Sequence, residues 1–299
     1  MPDSQSSKIQ VSPFPFGSEF SVRQEQAKHL FNLRMETPSI PPPLMPESTE
    51  TNIASSSLTA RLLNIFVAPG EVFDEVRRTP QMISNWLVPA LILIFVSWVG
   101  TWLILSQDAF QHQYHELTEK AFDQQLAKMH LSQTEAEQMR AKMEQYGAIG
   151  PRIGMIVTPV VVGLGVPFIW GGILWLLGAK LFKGGFEYMK AVEVVGLATM
   201  PAALGTLVKT LLVFVTGSIM AAPGPTLLLK DFDPQKPAHA ALSLINLFAF
   251  WVLGTRAAGL AKLSNVAFAK AAAWVFGIWF GYMGLLFGFG QAMQAIFRK

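Results

Sequence analysis

His112, His115, Glu116 and Glu119 fall within about one quarter to one third of a helix circumference, and histidines mixed with carboxylates at such spacing can bind zinc. A solvated polar face explains the pattern equally well, nothing indicates supporting residues behind it, and no metal ligand is assigned. His29, His130 and His239 are scattered. The other chemically distinctive residues are charges inside apolar runs. Arg256 stands six residues before Lys262, about 9 Å deeper at helical rise, and Glu193 lies at similar depth in an opposite-running segment. The two are expected to be near neighbours, with Glu71 as the competing partner of Arg256, while Lys209 is expected to snorkel outward. Intramembrane hydrolysis or group transfer would need an aspartate pair, a Ser/His arrangement or an HExxH motif. The long apolar runs hold no histidine, no aspartate and a single glutamate, Glu193. No catalytic residue, no cofactor and no enzyme are expected. The glycines of LFKGGFEY and GFGQ lack the strand-to-helix setting of a phosphate loop.

The elements that carry these residues follow from composition. With 51% hydrophobic and 14% charged residues, and a mean hydropathy of +0.37, the chain lies outside the range of ordinary soluble domains. A formal charge of +3 is too small to suggest a nucleic-acid partner. There is no cysteine, hence no disulfide or thiolate chemistry. Five apolar segments approach or exceed the ~20 residues a helix needs to cross a bilayer: Trp86 to Ser106, Ile153 to Leu177, Val192 to Thr216, Ala240 to Leu263 and Ala271 to Phe297. Pro159, Pro167 and Pro201 favour kinks, readable as transport hinges or as packing geometry. Residues 1–57 are Pro/Ser-rich and predict a disordered tail without a cleavable signal; residues 58–299 form the membrane domain. The density of Arg77, Arg78, Lys180, Lys183, Lys190, Lys262 and Lys270 puts the tail in the cytoplasm and the C-terminus on the opposite side.

Before the first span, NIFVAPGEVFDEVRRTP predicts a short amphipathic helix entered at Pro69, with Glu71 at its positive end. Its apolar face, including Phe73, is expected in the membrane interface, with Arg77 and Arg78 at anionic head groups. Between the first two spans, Phe110, Tyr114, Leu117 and Ala121 share one helix face and Ala136, Met139, Met143 and Tyr146 another. Ser132 and Glu135 form a capping-box signature between them, which predicts a helical hairpin outside the bilayer. On the last segment Gly277, Gly281, Gly284 and Gly288 make a stripe expected to face another helix, of this chain or of a second copy.

Four stretches, in this order, resemble the Yip1-domain family in its bacterial form. They are RLLNIFVAPGEVFDEV, the polar hairpin ending GAIGPR, LFKGGFEYMKAVEVVGLATMPAAL, and NLFAFWVLGTRAAGLAKLSNVAFAKAAAWV. The resemblance covers about Leu58 to Lys299 and implies a five-helix integral membrane protein with a cytoplasmic N-terminus, in the bacterial inner membrane. It brings no catalytic or ligand residues, and the GTPase link of eukaryotic relatives does not transfer to this tail. The expected function is a multi-pass membrane scaffold or adaptor whose partners are the bilayer and other membrane or cytoplasmic proteins, compatible with a homo-oligomer. A small-solute transporter is the alternative. Its polar midplane site is not expected, because Val161, Leu164, Phe168, Ala203, Leu204, Phe248 and Trp251 are apolar.

Overall fold

A computed structural model describes residues 56–129, 132–146, 149–229, 232–233 and 236–296. The expected disordered tail lies outside these residues except for Ser56 and Ser57, which already belong to the helical part. Ser57 accepts the Ala60 N–H at 3.2 Å and caps α1, Leu58–Asn64. Helix α2, Pro69–Arg78, begins as Pro69 dictates, with Glu71 in its first turn and Arg77 and Arg78 in its last. Then come α3 (Ser84–Leu105), α4 (Asp108–Lys128), α5 (Gln133–Tyr146) and α6 (Ile149–Leu176), which runs into a π-helical turn, Leu177–Leu181. Helices α7 (Tyr188–Leu197), α8 (Met200–Thr216), α9 (Pro237–Ser243), α10 (Leu247–Ser264) and α11 (Phe268–Ile296) complete the chain. Among the described residues all regular structure is helical.

Among the described residues four stretches are long and apolar enough to cross a membrane: Ser84–Leu105, Ile153–Leu181, Tyr188–Thr216 and Phe268–Gly290. A fifth exists if α9 and α10, bent by 46°, count as one span. The continuous fourth helix expected over 240–263 is therefore broken. The reason is local: the Asn246 side chain accepts the N–H groups of Phe248 and Ala249, at 2.9 and 3.2 Å, and starts α10 as a separate helix. In the third span the chain departs from helix at Ala198 and Thr199, so Pro201 sits in the first turn of α8 and costs no interior bond.

The α7–α8 span is the axis of the bundle, 67% of its apolar window being buried against 6% for α11. Helix α7 packs on α6, α3, α10 and α2. Close approach rests on glycine at Gly196, where a Cβ would stand 2.2 Å from Trp86 Cα, and at Gly259, 2.1 Å from Val194 Cγ1. The stripe on α11 is different. Added Cβ atoms at Gly277, Gly281, Gly284 and Gly288 would meet nothing within 4 Å, so no helix among the described residues covers it. The aromatic side of α11 takes the contact with α10 instead, Trp279 meeting Phe250 edge-on at 5.6 Å.

Helix α2 also departs from expectation. Val72, Phe73 and Val76 are buried in the main core with residues of α7 and α10, Phe73 at 0% exposure, so this face is covered by protein and not by lipid. The predicted hairpin is formed by α4 and α5. Ser132 N–H and Oγ donate to Glu135 Oε2 at 2.9 and 2.7 Å, and Arg140 pairs with Asp123 across the two arms at 3.1 Å. The Ser132 bonds hold the Glu135 carboxyl below its ordinary range. Phe110 anchors the base of α4 in a small cluster with Val213 and Ala221.

Candidate functional site

Six ionic and polar side chains converge where α1, α2, α3 and α7 meet. Helix α1 turns Arg61 and Ile65, four residues apart, toward the protein and leaves Leu63 outside. Arg61, 1% exposed, donates from Nη2 and Nε to Glu75 Oε1 of α2 at 2.9 and 3.3 Å, and from Nη1 to Asn85 Oδ1 at the start of α3 at 3.1 Å. The Asn85 amide donates in turn to Glu193 Oε2 of α7 at 2.6 Å. Lys190 Nζ approaches Glu193 Oε1 at 3.1 Å as an ion pair and donates to the Pro80 carbonyl at 3.0 Å. Ser56 closes the other end, its N–H reaching Glu75 Oε1 at 2.6 Å and its hydroxyl the second carboxylate oxygen.

The array balances two cations against two carboxylates, and Asn85 joins the halves because an amide both accepts from a guanidinium and donates to a carboxylate. Pairing of this quality roughly repays desolvation, whereas a missing member leaves a buried charge uncompensated. Burial pushes the Glu75 carboxyl up, but bonds from Ser56 and Arg61 outweigh it and hold it below its ordinary range.

Around this array the end of the bundle carries a basic rim. Lys262 pairs with Asp74, Arg77 Nη1 donates to the Lys262 carbonyl at 3.0 Å, and Gln81 donates to Glu187. Lys270 lies 5.2 Å from the Phe182 ring centroid. Arg77 separates two open depressions, one of about 530 Å³ lined by Asp74, Arg78 and Lys262, the other of about 650 Å³ lined by Gln81, Glu187 and Lys190. Concave ends with several charged groups suit recognition of a polar partner surface.

The residues singled out from sequence divide as follows. Glu193 enters the array, but its partners are Lys190 and Asn85, not Arg256. Arg256 instead lies with its guanidinium carbon 4.6 Å above the Trp170 ring. Glu71 and Arg78 are exposed, Arg77 bonds the end of α10, and Phe73 is core. His112, His115, Glu116 and Glu119 are exposed, with Glu116 3.8 Å from Lys120. No group of three potential metal ligands forms among the described residues. Lys209 is exposed on α8, as snorkelling requires.

Sequence reasoning missed Arg61, Glu75 and Asn85. The one available signal was an arginine and a glutamate set within otherwise apolar helix faces and an asparagine beside a long apolar run.

A family model described as the Yip1 domain matches residues 63–290. Comparison with curated proteins and with solved structures found no match. The matched region begins inside α1 and takes in every candidate span, and it contains the array apart from Ser56 and Arg61. On that match and on its apolar helices, the chain is a multi-pass integral membrane protein belonging to the Yip1 domain family.

Proposed function

We propose that this protein is a membrane scaffold or adaptor, not an enzyme, whose working surface is the end face formed by α1, α2, the 180–190 connection and the α10–α11 turn. The observation that carries this reading is the buried array: it fixes α2 to the bundle, so that Arg77, Arg78 and the two depressions beside them are presented in one geometry. A preorganised surface binds without first ordering itself. In this reading the end face lies in the cytoplasm of a bacterial inner membrane, the bent α9–α10 pair completes five spans, and the C-terminus lies on the opposite side. Interfacial contact falls to the exposed Leu63 and Val67, 64% and 87% accessible, in place of Phe73. The partners are the bilayer and membrane or cytoplasmic proteins, without nucleic acid; the uncovered glycine stripe of α11 leaves room for a second copy.

Photo-crosslinking residues at Arg78 and Lys180 test the reading, with the exposed Val161 on α6 as control. Discrete protein adducts are expected at both end-face positions and lipid adducts at Val161. Adducts at Arg78 should disappear in Arg61→Ala. Lipid adducts alone at all three positions would remove the scaffold reading.

A transporter reading keeps one specific support: the break before α10 and the cleft lined by Arg256, Thr206 and Lys209 in an otherwise apolar region. Cysteines at Leu164, Leu204 or Trp251 in this cysteine-free chain discriminate the two. Reagent access that switches sides on adding a solute would favour transport.

A further inference from the structure

Arg256 is the least compensated charge among the described residues. It sits near the middle of α10, 7% exposed, and its Nε is buried without a hydrogen-bond partner. It makes no ion pair among the described residues, and the glutamate expected to pair with it is committed to Lys190 and Asn85. Contact with the Trp170 face offsets part of the cost but supplies no anion.

The guanidinium lines a cleft of about 420 Å³ between α8, α10 and α11. Lys209 and Thr206 line it from α8, while Phe248, Trp279 and Tyr282 give it aromatic walls. The start of α10 is not the attraction, since Asn246 already satisfies the N–H groups of Phe248 and Ala249. Nor does any aspartate or glutamate among the described residues line the cleft as a counter-ion. Two cationic side chains and the hydroxyls of Thr206 and Tyr282 thus line one largely apolar hollow, with no acid among the described residues. Beside the cleft the surface of α11 is apolar and exposed, with Leu286 on the helix face that carries Trp279, Tyr282 and Met283, and it belongs to a spanning helix. An occupant therefore has direct access from the hydrocarbon.

We propose that this cleft binds an anionic phospholipid, its phosphate between Arg256 and Lys209 and its acyl chains along α11. A guanidinium matches phosphate oxygens bidentately, and the ammonium adds a second charge-assisted contact at the mouth. The cleft volume admits a phosphodiester with its glycerol while the chains stay in the bilayer. This site is separate from the end face and does not depend on the scaffold reading.

The test is native mass spectrometry of the full chain released from nanodiscs of phosphatidylglycerol mixed with phosphatidylcholine. One phosphatidylglycerol per chain is expected to be retained in preference to phosphatidylcholine. Arg256→Gln should reduce that retention at least tenfold, Arg256→Lys should restore part of it, and Lys209→Gln should reduce it severalfold. Lys209 is exposed, so its variant leaves the packing untouched and keeps the test decisive if Arg256→Gln fails to fold. Equal retention of both lipids, or retention unchanged in Lys209→Gln, overturns the proposal. So does release of the bound lipid by millimolar inorganic phosphate, which would assign the site to a soluble anion.

Discussion

At the scale of single residues, the array around Asn85 decides more than any apolar contact, because its members cannot be removed one at a time. Arg61→Ala leaves Glu75 and Asn85 facing an empty space and should cost about 3–5 kcal/mol, while the double change Arg61→Leu with Glu75→Leu should recover much of that loss. Unfolding in mixed micelles, followed by tryptophan fluorescence, measures both. The Glu75 carboxyl also gives pH a direction. Its value in the folded protein lies below the ordinary 4.5, so its contribution is complete above that value and is lost as the pH falls through the depressed one. Hydrogen exchange in α2, corrected for intrinsic rate, should be flat from neutral pH to about 5 and rise only in stronger acid. Ser56→Ala removes the hydroxyl bond to the carboxylate and should bring that rise on at higher pH. Glu193 was legible as an unusual residue; its partners were not. Asn85 and Glu193 are 108 positions apart, and periodicity says which face of one helix is apolar but not which residue of another helix meets it.

At the scale of elements, boundaries and caps were the most readable features. The first span, the Pro69 start of α2 and the Ser132–Glu135 box between the hairpin arms all lie where local rules put them. Local chemistry also explains the misreading of α9–α10. Hydropathy averages over a window, and one asparagine that bonds its own backbone breaks a helix without changing the average. The glycine stripe finds no partner among the described helices, since spacing identifies a smooth strip but not what lies against it, and a second copy remains the occupant to test. The structure transfers the sensitive positions to the interior. Gly196→Ala would place a methyl 2.2 Å from Trp86 Cα and should destabilise the bundle by about 1–3 kcal/mol, whereas Gly281→Ala, with open space around it, should leave the monomer's melting temperature unchanged. Thermal melting of the two variants side by side checks this.

At the scale of the whole molecule, the proposed docking face and the proposed lipid cleft occupy separate parts of the bundle. The end face gathers α2, the 180–190 connection and the α10–α11 turn, while the hairpin base reaches the α8 terminus, Gln113 Nε2 donating to the Gly217 carbonyl at 2.8 Å. An impermeant thiol reagent should therefore label cysteines at Arg78 and Glu119 from opposite sides of the membrane. Labelling of both from one side would contradict the five-span arrangement. The sequence positions of the groups that hold α2 also set a timetable. Of the described helices α1 and α2 are synthesised first, yet the lysine that pairs with Asp74 follows 188 positions later. At roughly 5–20 residues per second, ribosomes need about 10–40 s to deliver it. Until α7 and then α10 are made, Phe73 and its neighbours lack the surfaces that bury them, and the array stays incomplete until Glu193 follows Asn85 by 108 positions. A nascent chain arrested at Phe182 should accordingly lose α2 to added protease, and one released at full length should keep it. The first of the described helices to emerge are thus among the last to be secured, and during those seconds the newborn protein is most exposed to chaperones, proteases and mispairing with its neighbours.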